Sequence, residues 1–368
     1  LLARLQAPEG SLAVARRTDA QQVRYADGRR DCLPVPMVSL THAVDETVVV
    51  CYSAQIWQNY RKYVRAYGAD IAFEDFVRLY FDRQANAKIK IAKAMDATFA
   101  DAQNDAERKI KALVDEFDKQ QSARLEQELF KQKKRLADAE RTLQAKPTKA
   151  AVESRRIAGD KIAWVLGKLA DIRRAELNDE DSRIFPGWYA PVMVVENGRR
   201  VIKPMRYQCR PAGKPAFYDI KFPGTYNARR DSLGGFWKEL FGISHGIMVA
   251  NAFFENVSRH RMEGRELAEG EKEENVILEF RPRPTQDMLI ACLWSHWRAP
   301  GEPDLLSFAA ITDEPPAEIA AAGHDRCIIP IKPENVDAWL NPGSSDLATM
   351  QKILDDRERP YYEHRLAA

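Results

Sequence analysis

The stretch APVMVVENGRRVIKP (residues 190–204) sets the fold class. Two runs rich in valine, isoleucine and methionine flank Asn197-Gly198. An Asn-Gly pair between β-prone runs is the residue choice of a two-residue hairpin turn, because both positions need positive φ. Working toward the C-terminus, VILEF (276–280), MLIACLW (288–294) and LLSFAAIT (305–312) repeat the pattern of short apolar strands punctuated by Pro and Gly. ENVDAWL (334–340) reads as a short helix opening after Pro333.

Upstream of about residue 184 the texture is helical. In QIWQNYRKYVRA (55–66), Ile56, Tyr60 and Val64 recur every four residues and Gly68 supplies a stop. Phe73, Phe76, Val77 and Tyr80 mark a second amphipathic helix. From about 86 to 146 the chain has no Pro or Gly, and Ile110, Leu113, Phe117, Leu125, Leu129, Leu136 and Leu143 form a heptad-like stripe. KPTK (146–149) breaks it, and Val152, Ile162, Val165, Leu169 and Ile172 continue on a second helix. This predicts an antiparallel helical hairpin, a coiled-coil-like arm. Such an arm is either a clamp or partner surface, or a solvated insertion packed only on itself, the simpler reading. The expected architecture is α+β, a curved antiparallel β-sheet or open barrel with flanking helices, interrupted by the arm. The expected boundaries are a disordered or non-native leader at 1–50, a first part of the main domain at 51–84, the helical insertion at 85–180, the main part at 181–345 and a C-terminal tail at 346–368.

Composition narrows the function classes. In 368 residues, 56 Lys and Arg face 54 Asp and Glu, so any nucleic-acid surface must be local. No apolar run approaches the roughly 18–20 residues of a membrane-spanning helix, and no signal-peptide pattern opens the chain. Cys32, Cys51, Cys209, Cys292 and Cys327 are an odd set without a CxxC pair. That argues against a disulfide framework and a structural zinc site and suits a reducing cytoplasm; separately, no cofactor or metal is expected.

Four polar islands interrupt the β-rich half. TYNARRDS (225–232) carries Asn227 and Arg229, NAFFENV (251–257) sets Glu255 behind Phe253 and Phe254, Thr312 closes a strand, and GHDRCIIP (323–330) carries His324 and Arg326. Singly, each fits a structural role: a strand-edge carboxylate or a satisfied core histidine is the commoner case. In order, Cys-Tyr-Ser-Ala (51–54), Asn-Ala-Arg (227–229), Phe-Phe-Glu (253–255), Ala-Cys-Leu-Trp (291–294), Ile-Thr (311–312) and His-Asp-Arg (324–326) resemble the SRAP family (SOS response-associated peptidase), whose members process abasic sites. The resemblance spans about 51–84 and 184–342, and the arm resembles that of a longer bacterial subgroup.

The resemblance implies covalent capture of abasic sites in single-stranded DNA through an N-terminal cysteine, here Cys51, by a cytoplasmic protein that is nucleoid-associated when bound to DNA. It further implies catalytic roles for Asn227, Glu255 and His324, and DNA contacts from Arg229, Arg326, Thr312, Arg206 and the aromatics Tyr207 and Phe253. The usual Cys-Gly-Arg start is Cys51-Tyr52-Ser53 here, and an Asp-Gly pair before the aromatics is Asn251-Ala252. Two further readings remain: a non-covalent single-stranded-DNA-binding module, or a peptidase that processes itself ahead of Cys51. The helical arm is a candidate site for a protein partner.

The chemistry explains why the cysteine would be first. An N-terminal cysteine offers an α-amine with a reference pKa of about 7.7–8.0 and a thiol of about 8.5. The amine forms an imine with the opened sugar's aldehyde, and the thiol closes a five-membered thiazolidine. An internal cysteine has only an amide nitrogen. Val50 precedes Cys51, and a valine codon can serve as a bacterial start, so translation from Val50 followed by Met removal would expose Cys51; a start at Met37 would not. Glu255, shielded by the two phenylalanines, is expected to retain a proton near neutrality and act as acid and base.

Overall fold

The computed structural model describes residues 53–343 and 346–367. The chain divides into Leu1–Thr47 and Val48–Ala368, and every described residue lies in the second unit. In chain order this unit runs β1 (Ser53–Ile56), α1 (Tyr60–Tyr67), β2 (Asp70–Ile71), α2 (Phe73–Ala85), β3 (Lys90–Ile91), α3 (Lys93–Ala97) and the long pair α4 (Asp105–Ala145) and α5 (Lys149–Arg173). There follow β4 (Arg183–Ile184), β5 (Trp188–Glu196), β6 (Arg199–Tyr207), α6 (Tyr218–Lys221), β7 (Asn227–Arg229), β8 (His245–Ser258) and α7 (Arg259–Met262). The last part holds β9 (Asn275–Arg283), β10 (Met288–Trp297), β11 (Leu305–Asp313), α8 (Ala317–Ala321), β12 (Cys327–Ile328), α9 (Val336–Leu340), α10 (Leu347–Asp355) and β13 (Tyr361–Leu366).

The Asn197-Gly198 turn forms as the sequence predicts, with φ of 50° and 74°, and joins β5 to β6. From there the strands pair β5–β6–β11–β10–β8, and β8 returns to β5 through Met193 and Ile247. The result is a closed five-stranded barrel in which only the β6–β11 pair is parallel. The expected sheet therefore closes on itself rather than remaining open. Side chains alternate along each strand. Ile247, Val249, Met193 and Leu289 join a cluster with α1, α2, α9 and α10, so they face outward. Met248, Ala250, Val192, Ile290 and Phe308 join the second cluster, which fills the inside.

Closure needs a residue without a side chain. A Cβ on Gly246 would lie 2.9 Å from Val192 Cγ1 and 3.3 Å from the Met193 carbonyl oxygen, so the close approach of β8 to β5 here calls for glycine. The neighbouring His245 is buried with its ring 3.9 Å from that of Trp339. Its Nδ1 lies 3.0 Å from the Trp339 carbonyl oxygen, and Gly242 N–H donates to Nε2 at 2.8 Å. These contacts fit the neutral ring, and burial pushes its pKa down to about 3.

Several expectations shift at element boundaries. Gln55 and Ile56 are in β1, not in a helix, because they pair with β8; the helix starts after Asn59, whose side chain accepts the Arg61 N–H. Gly68 then ends it in the left-handed region. Residues 85–104 belong to the body: β3 pairs with β5, and Met95 and Phe99 are fully buried against Tyr60, Phe76 and Tyr80. The arm proper is α4 and α5, started by the Asn104 and Thr148 caps. Its seam is narrower than the leucine stripe suggests. Ala139, Ala151 and Ala158 are buried while Val152 is 47% exposed, as befits a helix with one neighbour. Residues 346–368, expected as a tail, supply α10 and β13, and β13 pairs with β9 through Tyr361–Leu366.

Substituting Gly246→Val should overpack the seam and cost about 1–3 kcal/mol in urea unfolding. A second expectation concerns pH. His245 has a folded pKa below its unfolded value of 6.5, so its contribution to stability is present above pH 6.5 and is lost as pH falls toward 3. Over that window the wild-type stability should fall more steeply than that of His245→Gln, by up to about 1.4 kcal/mol per pH unit.

Candidate functional site

β8 reaches from the barrel seam to a second group of strands. Its first half pairs with β10, and its second half pairs with β9 and β1, with an irregularity opposite Gln55 and Ile56. Past that point the alternation places Phe253, Glu255 and Val257 in one row. Phe253 and Val257 belong to the inner cluster, and the Glu255 side chain is fully buried between them.

Glu255 meets His324. The imidazole Nε2 lies 3.1 Å from Glu255 Oε2, and both side chains are almost wholly excluded from solvent. His324 sits between α8 and β12, where its Nδ1 lies 2.9 Å from the Arg326 carbonyl oxygen and 3.3 Å from the Arg326 amide nitrogen. If Nδ1 donates to the carbonyl, the proton between ring and carboxyl comes from a charged ring or from the acid; if Nδ1 accepts, Nε2–H donates. Where ring and carboxyl are hydrogen-bonded, one of the two carries the proton. Cys327, two residues beyond Asp325, is buried in β12; burial, and then the Glu255 charge, pushes its thiol pKa up, so it is a core residue.

A second pair stands beside it. β7 runs parallel to the end of β11, and β12 pairs with that end from the other side at Thr312 and Ile328. The buried Thr312 hydroxyl donates to Asn227 Oδ1 at 2.5 Å. That commits the amide oxygen as acceptor, so Asn227 offers a ligand its N–H₂ group. Ala228 packs outward, which puts Asn227 and Thr312 on the same inner side as Glu255.

The two arginines expected beside this site are paired with different acids. Arg229 is ion-paired with Asp231 at 2.7 Å and remains about half exposed. The Ser232 hydroxyl first, then Arg229, and more weakly the charge of Arg326, hold the Asp231 carboxyl below its ordinary range. Arg326 itself is mostly buried and lies 3.4 Å from Asp325. The other expected DNA contacts are placed differently. Arg206 is ion-paired with Asp219 at 2.8 Å and donates to the Gln208 carbonyl, so its guanidinium is spent inside the fold. Tyr207 stacks on Phe308, and Phe253 is sandwiched by Phe280 and Tyr362. Both rings are buried and present no face to a base, because the strand alternation directs them into the core.

Arg183 carries no sequence signal. Its Nε donates to Ser53 Oγ at 2.9 Å, and its guanidinium lies 3.7 Å from the Phe254 ring centre. A lone arginine after a helical arm belongs to no motif; only the β1–β4 pairing brings it here. Cys51 lies outside the described residues. The first described residue, Ser53, pairs with Phe254, the neighbour of Glu255. Among the described residues no group of three or more His, Cys, Asp or Glu side chains is arranged to hold a metal ion. No described helix is long and apolar enough to cross a membrane.

A family model described as SOS response associated peptidase (SRAP) matches residues 141–366. That match takes in the tip of α4, all of α5 and β4 to β13, and ends within the segment expected as a tail. No curated protein matches the chain. Among solved structures, a Bordetella bronchiseptica protein is 16% identical over 53% of this chain and 90% of its own, with a TM-score of 0.40. A Bacteroides thetaiotaomicron protein is 14% identical over 54% and 82%, with a TM-score of 0.40. A phage-related protein from Bordetella bronchiseptica is 18% identical over 50% and 81%, with a TM-score of 0.38.

The Thr312–Asn227 bond gives a direct test of local packing. Thr312→Val keeps the shape but leaves the Asn227 amide oxygen without its donor, and should cost about 1–3 kcal/mol in chemical denaturation. Thr312→Ser should cost less than half as much.

Proposed function

This chain belongs to the SOS response associated peptidase family, whose function is associated with DNA damage, and we propose that it captures abasic sites in single-stranded DNA covalently through Cys51. The observation that carries this reading is the buried pair that Glu255, on the strand that β1 joins, makes with His324. Two residues of chain span at most about 7 Å, so Cys51 is tethered within that reach of Ser53, itself paired beside Glu255.

In the proposed reaction the deoxyribose opens to its aldehyde, which needs a proton delivered to the ring oxygen and one removed from the C1 hydroxyl. The proton held between Glu255 and His324 serves the first need, and the carboxylate left behind serves the second. The Cys51 amine then attacks the aldehyde carbon, and water leaves as the imine forms. The thiol sulfur adds to the imine carbon, its proton passing to nitrogen, and the thiazolidine closes. One water is released in all and no redox partner is needed. Asn227, with its oxygen tied to Thr312, is assigned to orient the amine or the sugar through its N–H₂ group. Arg229 and Arg326 are assigned to the phosphates.

The non-covalent alternative would stack bases on Tyr207, Phe253 and Phe254 with arginines on phosphate, and the burial of all three rings weighs against its stacking part. The test uses protein beginning at Cys51 and a single-stranded oligonucleotide with one abasic site. An adduct that survives denaturing electrophoresis is expected, and Cys51→Ala should abolish it while Cys292→Ala does not. Glu255→Gln should slow single-turnover capture by about 10²–10⁴-fold with DNA affinity within a few-fold. A full rate with Gln at 255 would end the acid–base assignment.

A further inference from the structure

The arm is electrically polarised along its length. Between residues 130 and 158 it carries nine Lys and Arg against three Asp and Glu, whereas its proximal segments, 105–129 and 159–173, carry eight against nine. At a rise of about 1.5 Å per residue, α4 is roughly 60 Å long, and the basic half begins about 35 Å from its root. That root is pinned: the buried Glu107 accepts from Arg61 at 2.6 Å and from the Gln103 N–H at 2.6 Å, and it also bonds Tyr60. The arm therefore projects its charge from a fixed base.

Much of the distal charge is unneutralised. Arg141 pairs with Asp138, and Arg156 with Glu153 and Asp160. Among the described residues Lys133, Lys134, Lys146, Lys149 and Arg155 are exposed and make no ion pair within 4.0 Å. Within this patch Phe130 is 75% exposed. On α4 it lies on the side away from the α5 seam, where Gln132 and Ala139 are buried, and Lys133 and Lys134 follow it by three and four residues. A solvent-facing aromatic ring among cations on a helix surface can stack a base beside phosphate-binding groups. A membrane-lying helix would need a broad apolar face. Here that face is used in the seam, and only Phe130 and Val152 among large apolar side chains of 130–158 are prominently exposed.

We propose that the distal half of the arm is a second nucleic-acid site, which holds the sugar–phosphate backbone of single-stranded DNA flanking the lesion without regard to sequence. The choice of DNA over another polyanion rests on the function proposed above. The arm thereby lengthens the strand that one molecule can cover.

The test measures affinity and salt dependence for undamaged single strands of about 60 and about 12 nucleotides, using the full chain and a variant with Lys133→Gln, Lys134→Gln, Lys146→Gln, Lys149→Gln and Arg155→Gln. Each phosphate that the variant no longer neutralises should flatten the log–log salt slope by about 0.7, so the long strand should bind at least about tenfold more weakly to the variant. The short strand should be bound alike by both, and a variant with all five positions kept cationic, each Lys exchanged for Arg and Arg155 for Lys, should match the wild type. Glutamine keeps helix propensity, and circular dichroism reports whether the arm remains folded. Equal binding of the long strand by wild type and a folded variant overturns the proposal, as does charge-dependent binding to anionic phospholipid vesicles without binding to DNA. Capture of a short abasic oligonucleotide is measured separately: its failure in the wild type would remove the proposed reaction and leave the arm's length-dependent binding as a distinct result.

Discussion

The contact on which the molecule depends is the approach of β8 to β5 at Gly246. Without it the strands form an open curved sheet; with it they form a ring whose inside is filled by one row from each strand. Ring closure also settles His245, held neutral between Gly242 N–H and the Trp339 carbonyl, which binds helix α9 to the start of β8. A strand fixed so firmly at one end can carry chemistry at the other. Glu255 lies nine residues along β8 from Gly246, about 30 Å at the usual rise of an extended strand.

The site is built where β8 leaves the barrel and two short strands flank the end of β11. β7 and β12 are only three and two residues long, yet each is held by β11, so Asn227 and His324 take their places from one long central strand. Placing functional side chains on strands rather than on free loops keeps their separations fixed. The two pairs, Thr312–Asn227 and His324–Glu255, face the same inner side, with Arg229 on Asp231 and Arg326 on Asp325. A buried polar group needs a partner of its own. Here the partners form a carboxyl–imidazole pair and an oriented amide, near the paired Ser53.

The sequence displayed the strands well because turn chemistry and β-branched runs are local signals. Asn197-Gly198 specifies its own turn, and MLIACLW and LLSFAAIT can hardly be anything but buried strands. It displayed the pairs Asn227 with Thr312 and Glu255 with His324 only as separate motifs, since their meeting depends on register between distant strands. What it concealed was long-range. Closure turned on a single glycine, the C-terminal segment became an edge strand only by pairing with β9, and residues 90–99 were drawn into the body by Met95 and Phe99. Tyr207 and Phe253 misled for a related reason: an aromatic beside a polar motif looks available to a base, and only the alternation of its strand sends it into the core.

If the buried Glu255–His324 pair serves a nucleophile that precedes β1, the covalent bond must form at one residue and no other. Digesting the adduct made with an abasic single strand, and locating the modified residue by tandem mass spectrometry, tests this most directly. The expected product is a modified peptide that begins at Cys51, with the mass of peptide plus sugar fragment minus one water. Modification at Cys209, Cys292, Cys327 or a lysine, or an adduct on a chain in which Cys51 is internal, would contradict it.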